Sequence, residues 1–568
     1  MPSSSDAGER KGNRDMIAWC SHKQRHRTIL LLVVLGAVVA SLPRTAPAMA
    51  GVTRAATLAD QTWPYFGGDR DNTRFSPLTQ VNPSNVWKLG VAWTASLGRF
   101  QVLSETYPQV VNGMMFVTTN TDEIIALSAV TGKVLWHYAS PVDFSLSTGV
   151  GGYGVSVNRG VAVVNGKVYV VTFDGKLQAI TEDTGERLWQ SQVADPHAGY
   201  YETMAPTVWN GLVFVGSSGS QDGIRGFITA YDANTGKQVW RFYTVPKPGQ
   251  GWVPKGRHGG GGTYMPPTID TRTGLLYVGT GTPSPVLLGA GRAGANLYTD
   301  SILALQAKTG KLAWYYQETP HDQWSYGAAS PVVIFDAHVG GRTVHAVGEA
   351  GKNGLFYILD ARTGRPLSTP LAYVKVRHPA PTTKGVVACP GTIGGSPYSP
   401  VAYSPRTHAA YISGIDLCFK ITVTGSGQGG ERDFAGTRSP VGKATGTFSA
   451  VDVNTGQFLW KRALTTPLIG GASVTASHLA FTSGQNGIFY AFDDRTGKTA
   501  WTSNVGLATG SAPVIYSVKG TEYVAIVLGG SAVTGAQHLG KLGATVLVMK
   551  LGGAPIRPLS SPGRQVAP

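Results

Sequence analysis

The chain has 568 residues, and its 14% of charged residues falls well below the ~25% of ordinary soluble proteins. Hydrophobic residues at 42% and aromatic residues at 10% can bury a large core, which excludes a disordered chain and a small disulfide scaffold. The net charge of +16 is spread thinly rather than in blocks, so the sequence predicts no nucleic-acid partner and favours a small anionic ligand or an acidic medium.

The first fifty residues have the pattern of an export signal. Three basic residues precede the apolar run Ile29 to Ala40, and Ala48-Met49-Ala50 has the small-x-small form of a cleavage site. We therefore expect a signal peptide over 1–50, a linker over 51–62, and an exported protein. The compartment is periplasmic or extracellular, with an association with the outer membrane left open. The run is short for a stable membrane span, and an uncleaved anchor is the alternative.

A repeated hairpin pattern runs through the rest of the chain. Each copy has an alternating apolar strand, a turn that ends in Gly, and a second strand. This pattern predicts β-hairpins, because Gly supplies the positive φ of a tight turn. Six copies end in Trp, at 125–136, 177–189, 228–240, 303–314, 448–460 and 489–501, and a seventh copy at 357–365 lacks it.

The number of hairpins predicts the architecture. Seven hairpins, and a strand Ala544 to Met549 that can pair with the early strand Val91 to Ala95, favour an all-β fold. We expect an eight-bladed β-propeller of four-stranded antiparallel blades over 63–551, with tryptophans docking at equivalent positions. Long loops are expected at 246–262, 283–296, 371–400 and 424–446, and a disordered tail over 552–568. Self-association into a homo-oligomer is left open.

The three cysteines, Cys20, Cys389 and Cys418, show neither a Cys-x-x-Cys-His haem motif nor zinc spacing. In an exported protein, Cys389 and Cys418 can form one disulfide. The chain also lacks a Gly-x-Ser-x-Gly elbow, so a serine nucleophile has no support.

Several motifs resemble the pyrroloquinoline quinone (PQQ) dehydrogenases of methanol and ethanol. They are Trp63-Pro-Tyr-Phe-Gly-Gly, Asn158-Arg159-Gly160, Arg225-Gly-Phe-Ile-Thr-Ala-Tyr-Asp232, Thr319-Pro-His-Asp322 and Ala402-Tyr-Ser-Pro405. The resemblance runs from about Trp63 to Lys550. It implies a propeller that holds PQQ together with a calcium or lanthanide ion.

The chain departs from this family at the metal site. By resemblance, the ligand glutamate of the family corresponds to Gln221, the ligand asparagine to Thr282, and the catalytic aspartate to Ser325. A hard cation needs several anionic or carbonyl oxygens, so this change predicts no metal at the site. Other cofactor features are also replaced: the vicinal cysteine pair by Tyr153-Gly154, and two pocket tryptophans by Met265 and Ile469.

The polar frame of the same pocket is retained. The residues that match cofactor-contacting positions of the family are Glu105, Arg159, Thr203, Ser218, Gly219, Thr263 and Lys352. Without a metal, Arg159 offers a bidentate fork and Lys352 a point charge, which together suit a small dianion.

These features favour a cofactor-independent, exported hydrolase of a small sulfur oxyanion, similar to the tetrathionate hydrolases. Asp322 is the expected base, with Asp222 and Glu105 in reserve, although a structural role for the His321-Asp322 pair is equally compatible with the sequence. The retained frame, joined by Gln221, His321, Arg257 and His258, is expected to bind the substrate.

Two alternatives remain open. One is a PQQ-dependent alcohol dehydrogenase with calcium, in which Gln221, Asp222 and Asp322 rebuild the metal site. The other is a non-catalytic propeller that presents its loops to protein partners.

Overall fold

This computed structural model describes residues 60–98, 104–146, 156–247, 252, 259–328, 330–424, 435–530 and 544–559. The chain divides into two units, Met1–Ala56 and Thr57–Pro568, and all described residues belong to the second. The predicted signal peptide, most of the linker and the tail from 560 onward lie outside the described residues.

The described residues form strands almost throughout, so the predicted all-β class is confirmed. Short 3-10 turns are Val86–Lys88, Phe144–Leu146, Pro196–Ala198 and Ser220–Asp222. Within the part of the chain that the structure describes, no helix is long and apolar enough to cross a membrane.

The strands of the described residues group into eight larger sheets, named A to H. Sheet A contains Gln109–Val111, Met114–Thr118, Ile124–Ser128 and Val134–Tyr138. Sheet B contains Ala162–Val164, Lys167–Thr172, Lys176–Thr181 and Arg187–Gln192. Sheet C contains Thr207–Trp209, Leu212–Gly216, Phe227–Asp232 and Gln238–Tyr243. Sheet D contains Thr268–Asp270, Leu275–Gly279, Ser301–Gln306 and Leu312–Gln317.

The remaining sheets follow in chain order. Sheet E contains Val333–Val339, Arg342–Ala350, Leu355–Asp360 and Leu371–Ala372. Sheet F contains Val386–Ala388, Ala402–Ser404, Ala409–Val423, Gly436–Asp452 and Gln457–Leu464. Sheet G contains Phe75–Ser76, Leu468–Thr475, Leu479–Gly484, Ile488–Asp493 and Thr499–Asn504. Sheet H contains Leu89–Ser96, Val514–Val518, Thr521–Leu528 and Thr545–Leu551. A separate two-stranded sheet pairs Gly259–Gly260 with Pro283–Ser284.

Sheet H joins the two ends of the described chain. Leu89–Ser96 runs antiparallel to Thr545–Leu551, with Val91 opposite Met549 and Ala95 opposite Val546. The predicted pairing of the early and late strands is therefore confirmed.

The six hairpins that end in Trp form as predicted, whereas the seventh differs. After Asp360 its chain does not continue into a long second strand: an isolated bridge joins Leu359 to Pro366, and strand pairing resumes at the short Leu371–Ala372. Pro366 stands where that second strand would run, and a proline has no N–H to donate to the ladder.

Tryptophans connect successive sheets. The indole N–H of Trp136 in sheet A donates to the carbonyl oxygen of Glu182 in the next sheet at 2.8 Å. Equivalent bonds join Trp93 to Ala129, Trp189 to Ala233, Trp240 to Ala307, Trp314 to Ala361 and Trp460 to Asp494. Apolar clusters fill the space between the sheets around these rings.

Sheet F departs most from the predicted loops. Residues 424–446 were expected to form a loop, but from Gly436 onward they belong to a strand that pairs with Ala409–Val423 along most of its length. Cys389 and Cys418 are joined by a disulfide in this region.

The chain also keeps packing beyond residue 551, where a disordered tail was predicted. The backbone N–H of Ala554 donates to Val91 and that of Leu559 donates to Val505. These bonds to strand backbone hold residues 552–559 against the sheets.

Candidate functional site

Loops from neighbouring sheets surround a cavity of about 140 Å³. Each loop either precedes the first strand of a sheet or connects strands within one, which explains why residues far apart in sequence meet here. The lining residues are Glu105, Arg159, Tyr201, Thr203, Ser218, Gly219, Ser220, Gln221, Tyr264, Gly281, Thr282, Ser325, Tyr326, Gly327, Lys352, Pro397 and Tyr398. The structure thus brings together most of the pocket frame that the resemblance implied.

A buried ion pair lies at one side of the cavity. Arg159 and Glu105 are only 3% and 4% exposed, and Nη2 of the guanidinium is 2.5 Å from Oε2 of the carboxylate. Nη1 of Arg159 donates to Oγ1 of Thr203 at 2.7 Å, whereas its Nε is buried without a partner. A buried donor without a partner is costly, so this nitrogen is available to a ligand acceptor.

Hydroxyl groups continue this polar wall. Oγ1 of Thr203 lies 3.0 Å from Oγ of Ser218, so the two can share a hydrogen bond. Gly219 follows with a φ of 106°, and a Cβ there would stand 2.4 Å from the carbonyl oxygen of Gly199. The turn therefore requires glycine, and this turn carries Ser218 and Gln221 to the cavity.

Lys352 supplies a second cation. Its ammonium donates to the backbone carbonyl of Ser325, another lining residue. Burial lowers the pKa of Lys352 to about 8, and the nearby positive charge of Arg438 contributes to this lowering. The group is charged at neutral pH and can attract an anion.

Asp322 lies directly behind the cavity wall. Its side chain is fully buried, and Oδ2 accepts from the hydroxyl of Thr282 at 2.6 Å and from the backbone N–H of Tyr326 at 2.9 Å. Oδ1 accepts from the N–H of Trp324 at 2.8 Å. Thr282 lines the cavity and Asp322 does not. The Asp322 carboxylate is therefore connected to the cavity by its hydrogen bond with the Thr282 hydroxyl.

A second buried carboxyl group accompanies Asp322. Asp300 is fully buried, and its Oδ1 accepts from the N–H of Gly327 at 2.6 Å. Burial raises the pKa of Asp300 well above its usual range, and the neighbouring charge of Asp322 raises it further. This raised pKa favours the protonated form of Asp300.

The structure places several predicted site residues outside the cavity lining. Thr263 is buried and donates to the carbonyl oxygen of Phe227, so it supports the loop of Ser217 and Ser218 from behind. Nδ1 of His321 lies 3.0 Å from the carbonyl oxygen of Gly294 and contacts the 289–295 loop. Asp222 is also absent from the lining residues. Arg257 and His258 lie outside the described residues.

Aromatic and supporting residues were missed from the sequence. Tyr264, Tyr326 and Tyr398 line the cavity, and the guanidinium of Arg159 lies 5.5 Å from the ring centre of Tyr264 and 5.2 Å from that of Tyr398. Tyr264 and Tyr326 adjoin the singled-out positions Thr263 and Ser325, a signal that could have identified them.

Arg292 was also missed. It is fully buried and donates to backbone carbonyls of Pro285, Val286 and Asp322. The Arg292 guanidinium thereby links the 285–286 segment to the loop that carries Asp322. The sequence offered only an isolated arginine in a glycine-rich segment.

The sequence was compared with protein-family models. Residues 63–377 and 369–524 match the family described as PQQ, glucose/ethanol/alcohol dehydrogenase, beta-propeller domain. The chain belongs to this family. Its fold is therefore a β-propeller, and the superfamily that the motifs resembled is confirmed.

Relatives of this PQQ propeller chain are named as dehydrogenases. The quinohemoprotein alcohol dehydrogenase of Comamonas testosteroni is 32% identical over 91% of this chain and 80% of its own length. Its crystal structure superposes with a TM-score of 0.80 at 29% identity, covering 89% of this chain and 82% of the other. A europium-containing methanol dehydrogenase has a TM-score of 0.76 at 26% identity, covering 86% and 98%.

These matches correct the functional prediction. The tetrathionate hydrolase interpretation, with its sulfur metabolism, is wrong, because the matched relatives are named alcohol dehydrogenases. The prediction of no cofactor is wrong for the same reason, since the family is described by its quinone.

The cavity of this PQQ propeller member fits the organic cofactor. PQQ is a planar quinone with three carboxylates, and the cavity offers the partnerless Nε of Arg159, the ammonium of Lys352, and tyrosine rings. A divalent ion does not fit the same donors. Among the described lining residues the one carboxylate is that of Glu105, and it is paired with Arg159. The described residues also contain no cluster of three or more His, Cys, Asp or Glu side chains that could hold a metal.

Proposed function

We propose that the protein is an exported, quinone-dependent alcohol dehydrogenase that oxidises an alcohol to the carbonyl compound. The observation that carries this proposal is the cationic, tyrosine-lined cavity in a chain whose relatives are named quinone alcohol dehydrogenases. A bound PQQ would accept the two electrons and one hydrogen of the alcohol C–H bond as a hydride equivalent, while the hydroxyl proton leaves through groups of the protein. The protein supplies binding, orientation and proton transfer.

The polar wall would bind the cofactor. Arg159 and Lys352 would pair with its carboxylates and quinone oxygens, and the hydroxyls of Thr203 and Ser218 would donate further hydrogen bonds. Glu105 holds the guanidinium in place from the opposite side. These contacts would hold the cofactor in one orientation.

Thr282 and Asp322 would carry the hydroxyl proton of the alcohol. The hydroxyl of Thr282 already donates to Oδ2 of Asp322 and keeps lone pairs for a second bond. The alcohol proton passes to Oγ1 of Thr282 while the Thr282 proton passes to Asp322. This transfer leaves the substrate oxygen ready to form the carbonyl.

The finer architecture belongs to the same proposal. The eight sheets A to H would be the blades, docked by the tryptophan bonds between neighbours. Export is supported by the signal pattern of residues 1–50. The compartment is then the oxidising one in which the Cys389–Cys418 disulfide persists.

The test is alcohol-dependent reduction of an artificial electron-accepting dye. The purified protein is loaded with PQQ and assayed with primary and secondary alcohols. Asp322→Asn and Thr282→Val are each expected to lower kcat by about a hundredfold, since they interrupt the proton path while PQQ binding is kept. Asp183→Asn, in an exposed hairpin turn, is the control. A PQQ-loaded protein that turns over no alcohol would contradict the proposal, and normal kcat in both variants would contradict the proton path.

A further inference from the structure

We infer that this cavity binds its quinone through fixed side-chain cations and that neither a divalent nor a lanthanide ion forms part of the site. The inference rests on the proposed function, because the quinone is taken as the ligand. It concerns how the described residues balance the negative charge that such a ligand brings.

The first argument is the charge of the cavity. Among the described residues that line it, Arg159 and Lys352 are cations, and Glu105 is the sole carboxylate. Glu105 is already within 2.5 Å of the guanidinium, so this ion pair is neutral and Lys352 is the remaining charge on the lining itself, with the carboxyl groups of Asp322 and Asp300 acting on it from behind the wall. A divalent ion would meet repulsion from this charge, whereas a polycarboxylated quinone would neutralise it.

The second argument is that the oxygen atoms of Ser325 and Thr282 on the cavity wall are already engaged. The carbonyl oxygen of Ser325 accepts from the ammonium of Lys352. The hydroxyl of Thr282 is directed to Asp322, which is itself fully buried and accepts three hydrogen bonds. The remaining lining oxygens are mostly neutral amide and hydroxyl groups, which hold a hard cation weakly. The ammonium of Lys352 therefore occupies a carbonyl oxygen that this wall could otherwise offer to a metal ion.

The third argument comes from the sequence of the segments outside the described residues. Residues 99–103, 147–155, 248–251, 253–258 and 531–543 contain neither Asp nor Glu. Glu431 and Asp433, in 425–434, are the exceptions among the internal segments. Among these internal segments, 425–434 alone could therefore supply a further carboxylate.

The experiment measures binding rather than turnover. Full-length protein is treated with EDTA and titrated with PQQ, and binding is followed by quenching of tryptophan fluorescence. The titration is repeated with excess Ca²⁺ and with excess La³⁺. We expect dissociation constants that agree within about twofold in all three buffers. Tightening by about tenfold or more with either ion would overturn the inference while leaving the proposed function intact. Absence of PQQ binding in every buffer would overturn both.

Two variants test the role of the fixed cation. Lys352→Met is expected to weaken PQQ binding by at least about tenfold, with or without Ca²⁺, because the ammonium is lost. Lys167→Met, at an exposed lysine that bonds Asn234, is the matched control and should bind as the wild type does. Unchanged binding in Lys352→Met would overturn the inference.

A third variant adds the missing charge. Gln221→Glu combined with Ser325→Asp places two carboxylates on the cavity wall. We expect weaker PQQ binding in EDTA, through repulsion of the ligand carboxylates, and recovery on adding Ca²⁺. Circular dichroism would show that this variant is folded before the titration.

Discussion

Lys352 is the residue on which the electrostatics of the cavity depend most. Burial places its pKa at about 8, so the side chain is charged at neutral pH and loses its proton as the pH rises. A bound anion favours the charged form and shifts the pKa of Lys352 upward. Binding and proton uptake are thus coupled at this residue.

This coupling predicts a pH dependence of binding. The dissociation constant for PQQ should stay level below pH 8 and increase as the pH rises through the pKa of Lys352, by about tenfold per pH unit at most. Fluorescence titrations across this range measure the effect. Lys352→Arg should remain charged throughout and show a level profile. An identical rise in the arginine variant would assign the titration to another group.

Single residues also show how far the sequence could define the site. Arg159, Glu105, Thr203, Ser218 and Lys352 could be placed together because their motifs resemble a known pocket. The position of Asp322 could not be predicted. It lies one hydrogen bond behind the lining residue Thr282, and a sequence pattern does not show which of the two side chains reaches the cavity. The same holds for Thr263, whose side chain turns to a backbone carbonyl instead of the cavity.

At the scale of elements, the hairpins and their tryptophans were the most predictable part of the fold. The two-residue periodicity and the glycine turns recur in the sequence, so each hairpin was visible locally. The seventh hairpin and the long strand from Gly436 were not visible, since their pairing depends on distant partners. A mostly exposed strand such as the first half of Gly436–Asp452 has little hydrophobic alternation to reveal it.

Glycine at the hairpin turns allows a positive φ and leaves room for a neighbouring tryptophan ring. A pair of alanine substitutions separates these two roles. Gly310 has a φ of 69°, and a Cβ would stand 2.5 Å from the ring of Trp240 in the preceding sheet. Gly310→Ala should lower the free energy of unfolding by about 2 kcal/mol or more, from strain and from the displaced indole. Urea unfolding measures the change.

The control for this substitution lies in the neighbouring sheet. Gly211 has a φ of 75°, and a methyl group added there would meet no atom within 4 Å. Gly211→Ala therefore carries the backbone strain of about 1 kcal/mol without the contact. Equal losses in the two variants would show that the tryptophan contact contributes little.

At the scale of the molecule, sheet H closes the described chain. The strand Thr545–Leu551 lies between Leu89–Ser96 and Thr521–Leu528, and its apolar residues Val546 to Met549 are buried in the largest of the core clusters. Removing it would leave the early strand without its ladder partner and would expose that core.

A truncation tests this arrangement. A chain that ends at residue 543 should lose its single cooperative unfolding transition, because the core under sheet H becomes exposed. A chain that ends at residue 559 keeps every described residue and should unfold as the full chain does. Thermal unfolding followed by circular dichroism compares the two, and a cooperative transition in the shorter chain would contradict the prediction.

The same strand pairing sets a condition on biosynthesis. Leu89–Ser96 is made early, but its partner leaves the ribosome only when almost the whole chain has been translated. Until then Leu89–Ser96 lacks the strand with which it forms its ladder hydrogen bonds. Contacts between residues this distant in sequence also form slowly. For the export proposed above, a translocation channel that accepts extended polypeptide would receive a chain in which this strand pair has not yet formed, and folding would be completed after transport.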